Sequence, residues 1–134
     1  MLHFRFLICF VSCLLCCAAV TAQETPLRIA VAGISHGHSA WILGRKPDNI
    51  VEVVGIYEPD KGLSERSAQE YKLNRGIMFD DLNAMLDKVK PEAVVAFGSI
   101  YDHLAVVKAC APRGIHVMVE KPLAVSVKHA LEME

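Results

Sequence analysis

LRIAVAGISHGHSAWILGR, residues 27–45, is the stretch on which the fold turns. Leu27–Ala32 is almost wholly apolar and too short for a buried helix, so it reads as a strand. Gly33 and Gly37 then break the pattern, with His36 and His38 flanking the second glycine. His38–Arg45 reads as a short helix. A strand, a tight glycine turn and a helix form the opening unit of a doubly wound α/β sheet, whose first turn binds phosphates.

The downstream chain repeats the alternation. Residues 50–57 (IVEVVGIY), 76–79 (GIMF), 92–97 (EAVVAF) and 115–120 (IHVMVE) read as strands. Residues 61–72, 80–89, 102–111 and 126–134 read as helices. In the helix at 80–89, Leu82, Met85, Leu86 and Val89 recur at helical spacing, and Asp80 or Asp81 serves as its cap. Pro112 and Gly114 stop the helix at 102–111. The strands are apolar nearly throughout, as in a parallel sheet covered on both faces. The spacing implies right-handed crossovers and one doubly wound parallel sheet over residues 23–134.

A dinucleotide-binding turn needs G-x-G-x-x-G between strand and helix, with an acid about twenty residues on. Gly33 fills the first position, while Ser35 and His38 stand where the second and third glycines belong. Ser35 reduces room for a pyrophosphate but adds a hydroxyl donor. Glu58, directly after the second strand, is placed to accept the ribose hydroxyls of an adenosine. A carboxylate there repels a 2′-phosphate and so favours NAD over NADP. It reads equally as a turn acid at a strand end, beside Pro59 and Asp60. His36 and His38 have three readings: cofactor-loop donors, polar loop residues without a role, or metal ligands. The last needs further ligands. His103 and His116 are available, but no spacing singles them out, so no metal site is expected.

The N-terminus has a different character. After His3 and Arg5, residues 6–20 carry no charge, and small residues surround Ala22. This pattern fits a Sec-type signal peptide over residues 1–22, with export to the periplasm or exterior; a retained N-terminal membrane anchor is the alternative. Four of the five cysteines (Cys9, Cys13, Cys16 and Cys17) lie in this segment. Cys110 alone remains, which excludes a disulfide scaffold and a cysteine-based zinc site, and reads as a buried small hydrophobe. Without Arg5, 13 basic residues face 15 acidic ones, a net charge of −2. That balance provides no basic footprint for nucleic acid.

The stretch HVMVEKPLAVSVKHA (116–130), together with RIAVAGISHGH (28–38), resembles the N-terminal half of the Gfo/Idh/MocA oxidoreductases, among them glucose–fructose oxidoreductase and inositol dehydrogenase. Glu120, Lys121 and Pro122 match the family's E-K-P motif, and His103 falls on the histidine that begins the helix after the fourth strand. The resemblance spans residues 27–134. It implies a Rossmann domain binding NAD or NADP, followed by an α/β substrate domain that these residues do not contain. Family members transfer hydride to or from sugars, cyclitols and related polyols. The resemblance places Gly33, Ser35, His36, Gly37 and His38 toward the pyrophosphate, and Ser99 and His103 at the cofactor-side end of the fourth strand. Glu120 lies against the nicotinamide side. Lys121 sits near the reacting hydroxyl, where it can donate to the substrate oxygen. Pro122 fixes the chain that aims it, often through a cis bond.

The sequence departs from the family pattern at two places. Gly98 and Ser99 replace Thr and Pro of T-P-x-x-x-H, and Ser35 and His38 replace loop glycines. These changes bear on cofactor affinity rather than on fold. The family's acid–base histidine and its aspartate partner lie in the second domain, which commonly also builds subunit contacts. Residues 1–134 alone are therefore expected to be inactive, and homo-oligomerisation is expected through the missing domain. NAD is scarce outside the cytoplasm, so export supports an alternative: a non-catalytic Rossmann-like module that binds a sugar or a partner without turnover.

Overall fold

The computed structural model describes residues 25–134; the predicted leader at 1–22 lies outside the described residues. Five parallel strands form one sheet: β1 (Leu27–Ala32), β2 (Val51–Tyr57), β3 (Met78–Phe79), β4 (Ala93–Ala96) and β5 (His116–Val119). Their order is β3-β2-β1-β4-β5. The direction of strand addition reverses between β1 and β4, where open α/β sheets bind ligands at the carboxyl ends of the strands. The doubly wound reading therefore holds.

Alternation along the central strands explains their unbroken apolar character. Ala30 and Ala32 of β1 join Val94 and Ala96 of β4 in one core cluster, with Met85, Leu86, Val106 and Cys110. Ile29 and Val31 point the other way, and with Val95 and Phe97 pack against Leu43 and Ile56. Successive side chains of a strand face opposite sides, so a sheet with two cores needs apolar residues at every position.

Among the described residues, four α-helices connect the strands, α1 (Ala40–Leu43), α2 (Lys61–Glu70), α3 (Leu82–Val89) and α4 (His103–Cys110), and α5 (Val127–Met133) follows β5. Asp81 is the cap of α3, its carboxylate accepting the Ala84 N–H at 2.6 Å. Ser126 caps α5 through the His129 N–H. Gly114, at φ +67°, ends the turn after α4. Among the described residues no helix is long and apolar enough to cross a membrane.

The first helix is shorter than its sequence suggests. Residues 38–45 read as one helix, but the structure has a 3₁₀ turn at Gly37–Ser39 and only four α-helical residues after it. Gly44 closes it, and Pro47 disfavours helical backbone at Lys46. The third strand is likewise cut to Met78–Phe79, because Arg75–Ile77 turn as a 3₁₀ segment capped by Asn74.

Candidate functional site

The carboxyl ends of β1, β2, β4 and β5 bring together the first loop, Glu58, Ser99 and the E-K-P segment. Gly33 opens the loop with φ +74°, a conformation that suits glycine. A Cβ built there would stand 2.6 Å from the Gly98 Cα. The turn after β1 and the chain leaving β4 thus pack backbone against backbone. The constraint falls on Gly33 alone: a Cβ on Gly98, where the family pattern has threonine, would make only ordinary contacts of 3.5 Å or more.

Loop hydrogen bonds show which groups are left for a ligand. The Gly33 N–H donates to the Tyr57 carbonyl at 2.7 Å, and the His36 N–H to the Phe97 carbonyl at 2.8 Å. The Ile34 N–H donates to Glu58 Oε2 at 3.0 Å. The His38 N–H donates to His36 Nδ1 at 3.2 Å, and the Ser39 N–H to the His36 carbonyl. The Ser35 and Gly37 N–H groups have no partner among the described residues. They sit on the exposed side of the loop, and a Cβ on Gly37 would meet nothing within 4 Å. Free amides above open space can hold an anion.

Glu58 is 6% exposed. Its Oε2 accepts the Ile34 N–H and its Oε1 the Asp60 N–H at 2.9 Å. Two backbone donors hold the carboxylate in one orientation and link the loop to the end of β2. Beside it, Glu58, Lys61, Ser64, Phe79 and Asp80 line a cleft of about 340 Å³.

On the other side of the loop, His38 reaches Glu120 across the sheet. Its Nδ1 directs a hydrogen at Glu120 Oε1, and its ring stacks on Trp41 with centroids 3.9 Å apart. His36 meets His38 edge-on at 4.5 Å. The other Glu120 oxygen accepts the Lys121 N–H at 3.0 Å. The hydrogen bond from His38, reinforced by the Lys121 N–H, holds the Glu120 carboxyl below its usual range. Trp41, Ile42, Phe97, Met118, Glu120 and Lys121 line a second cleft, of about 390 Å³. Lys121 is exposed, without an ion pair among the described residues, and its bond to Pro122 is cis.

His103 sits apart from the surface of this site, while Ser99 is exposed beside it. His103 is fully buried; its Nδ1 donates to the Leu123 carbonyl at 3.0 Å, while Nε2 has no partner. It offers no surface to a ligand and instead ties α4 to the segment after Pro122. Ser99 Oγ accepts the Tyr101 N–H at 3.2 Å, closing the turn after β4. Cys110 is buried in the core, and burial pushes its thiol up to about 11.

Sequence reasoning missed the pairing of His38 with Glu120 and the stacking of Trp41. The two ends of the pair lie 82 residues apart, and no local pattern signals the contact.

Comparison with known proteins places this geometry. The model of an oxidoreductase family with an NAD-binding Rossmann fold, GFO_IDH_MocA, matches residues 27–134. D-glucoside 3-dehydrogenase of Escherichia coli K12 is 32% identical over 114 residues, covering 82% of this chain and 31% of that protein. Among solved structures, myo-inositol 2-dehydrogenase from Lactobacillus plantarum matches with TM-score 0.68 at 22% identity, covering 81% of this chain and 32% of that one. An inositol dehydrogenase homolog from Azotobacter vinelandii, complexed with NAD⁺, matches with TM-score 0.67 at 18% identity, covering 84% and 31%. The chain spans about a third of the length of these relatives.

Proposed function

Since the chain belongs to the GFO_IDH_MocA oxidoreductases, a family with an NAD-binding Rossmann fold, we propose that residues 27–134 form the cofactor domain of an enzyme that oxidises or reduces a sugar, cyclitol or related polyol. The observation that carries the reading is the set of groups at the switch point: the free amides of Ser35 and Gly37 on one side, and on the other the carboxylate of Glu58, which two backbone donors hold in one orientation and whose remaining lone pairs can accept further hydroxyls. These fit the two halves of a dinucleotide, an anionic pyrophosphate and a diol-bearing ribose.

In this reading the loop residues Gly33, Ser35, His36, Gly37 and His38 border the pyrophosphate, with Gly37 keeping the space above the free amides clear. Glu58 accepts the adenosine ribose hydroxyls. Its negative charge disfavours a 2′-phosphate, so NAD binds better than NADP. Glu120 borders the nicotinamide side, in the cleft that Trp41 and Phe97 line, and Pro122 fixes the chain that aims Lys121. Bound NAD supplies the hydride acceptor or donor. Lys121 holds the reacting oxygen of the substrate by a hydrogen bond and offsets the charge that develops there. Ser99 and His103 support the site through the turns they hold. The alternative of a module without turnover draws no support, because the family and D-glucoside 3-dehydrogenase are oxidoreductases.

Trp41, the single tryptophan, provides the test. Titration of the purified protein with NADH is expected to give saturable energy transfer from Trp41 to the reduced nicotinamide, weaker with NADPH. Gly37→Val should abolish it by filling the space above the loop. Absence of saturable transfer with both nucleotides would overturn the cofactor reading. Equal affinity for both would remove the role given to Glu58.

A further inference from the structure

We propose that His36, His38 and Glu120 form a binding site for a divalent transition-metal ion of the zinc, cobalt or nickel kind. Each residue offers one ligand atom, and these atoms all lie within 4.8 Å of one another. Around an ion with bonds of about 2.0–2.1 Å, tetrahedral ligands stand roughly 3.4 Å apart, so small side-chain rotations close the site. Two imidazoles and one carboxylate suit these borderline ions better than magnesium or calcium, which take oxygen ligands.

The surrounding structure supports the ligands as a metal site requires. The loop carrying both histidines is fastened to β2 and β4 through the Gly33 and His36 amides. Glu120 is fastened by its own amide to the Ala96 carbonyl at 3.3 Å, so little backbone freedom remains to be lost on binding. Trp41 stacks on His38 and sets its ring plane, while the Lys121 N–H holds the second Glu120 oxygen. Such outer contacts orient metal ligands and raise affinity. The ion takes the place of the proton that His38 Nδ1 now directs at Glu120. At His36, a coordinate bond to Nδ1 would replace only the 3.2 Å hydrogen bond from the His38 amide. All three residues are half-exposed, so a fourth position stays open to water.

All three ligands, His36, His38 and Glu120, also border the proposed dinucleotide site, but the metal site is measured with metal alone, so it stands or falls separately from dinucleotide binding. Trp41 is again the reporter: cobalt bound at His38 lies close enough to the stacked indole to quench it on contact. Titration of the purified protein with Co²⁺ should quench Trp41 saturably at one ion per chain, with EDTA restoring the emission. His36→Asn and Glu120→Gln should each raise the midpoint roughly tenfold or more. His116→Asn, on the exposed side of β5, should leave it unchanged. Circular dichroism checks that each variant is folded. Quenching that never saturates, or a midpoint that His36→Asn and Glu120→Gln both leave in place, overturns the proposal.

Discussion

Gly33 and Gly37 stand four residues apart in one turn and answer to different constraints. Gly33 has a positive φ and no space for a Cβ beside Gly98; Gly37 has neither restriction. Gly33→Ala is therefore expected to destabilise the fold by about 2 kcal/mol or more, from overpacking and backbone strain together. Gly37→Ala is expected to stay within about 0.5 kcal/mol of the parent protein. Urea unfolding of the two variants checks this, and equal midpoints would contradict it. In the sequence Gly33 reads as the first glycine of the dinucleotide turn and Gly37 as the other glycine of the same loop, and nothing there separates their constraints. Glu58 was legible as an acid at the right spacing, but its reading as a turn acid remained open. Its burial and its two backbone donors show that it also braces the loop. His103 carried a clear sequence signal, yet it lies inside the core, because the signal reports position along the chain and not which way the ring points.

Among the elements, the strands are legible in the sequence to within one residue at each end, except β3, which begins two residues later. Their continuous apolar runs follow from packing on both faces. The helix after the loop is shorter than its sequence pattern, since Gly44 and Pro47 cut it to one α-helical turn. The segment between α2 and β3 is held by a pair that no periodicity reveals: Arg75 clasps Glu65 through both of its terminal nitrogens. This contact, together with the Gln69 amide, lowers the Glu65 carboxyl to about 2. A carboxyl depressed in the folded state stabilises above its unfolded value, and that contribution is lost as pH falls through the folded one. The pair's contribution should thus be present above about pH 4.5 and fade toward pH 2. Carboxyl NMR titration should place the Glu65 midpoint well below those of its exposed neighbours, and Arg75→Gln should return it toward the ordinary range. Solvent screening at this exposed position keeps its share of total stability small.

At the scale of the whole molecule, β1 and β4 lie at the centre of the sheet with a core on each face, while β3 is a two-residue edge strand. Amide exchange is expected to be slowest in Ile29–Ala32 and Val94–Ala96 and fastest among the strands at Met78–Phe79. Comparable protection at all three would contradict the layered picture. The sequence by itself determined the alternation of strands and helices, the sheet's parallel sense, the glycine turn after the first strand and the acid after the second, and the family resemblance through Glu120, Lys121 and Pro122. These are written locally, in periodicity, glycine placement and short motifs. Only the tertiary structure decided that His36 and His38 converge on Glu120, that Trp41 covers His38, that Gly33 packs directly on the Gly98 backbone, and that His103 is a buried brace. Each of these joins residues brought together by strand order and loop packing. The physical reason is that separation in sequence carries no information about which side chains meet at the carboxyl edge of a folded sheet.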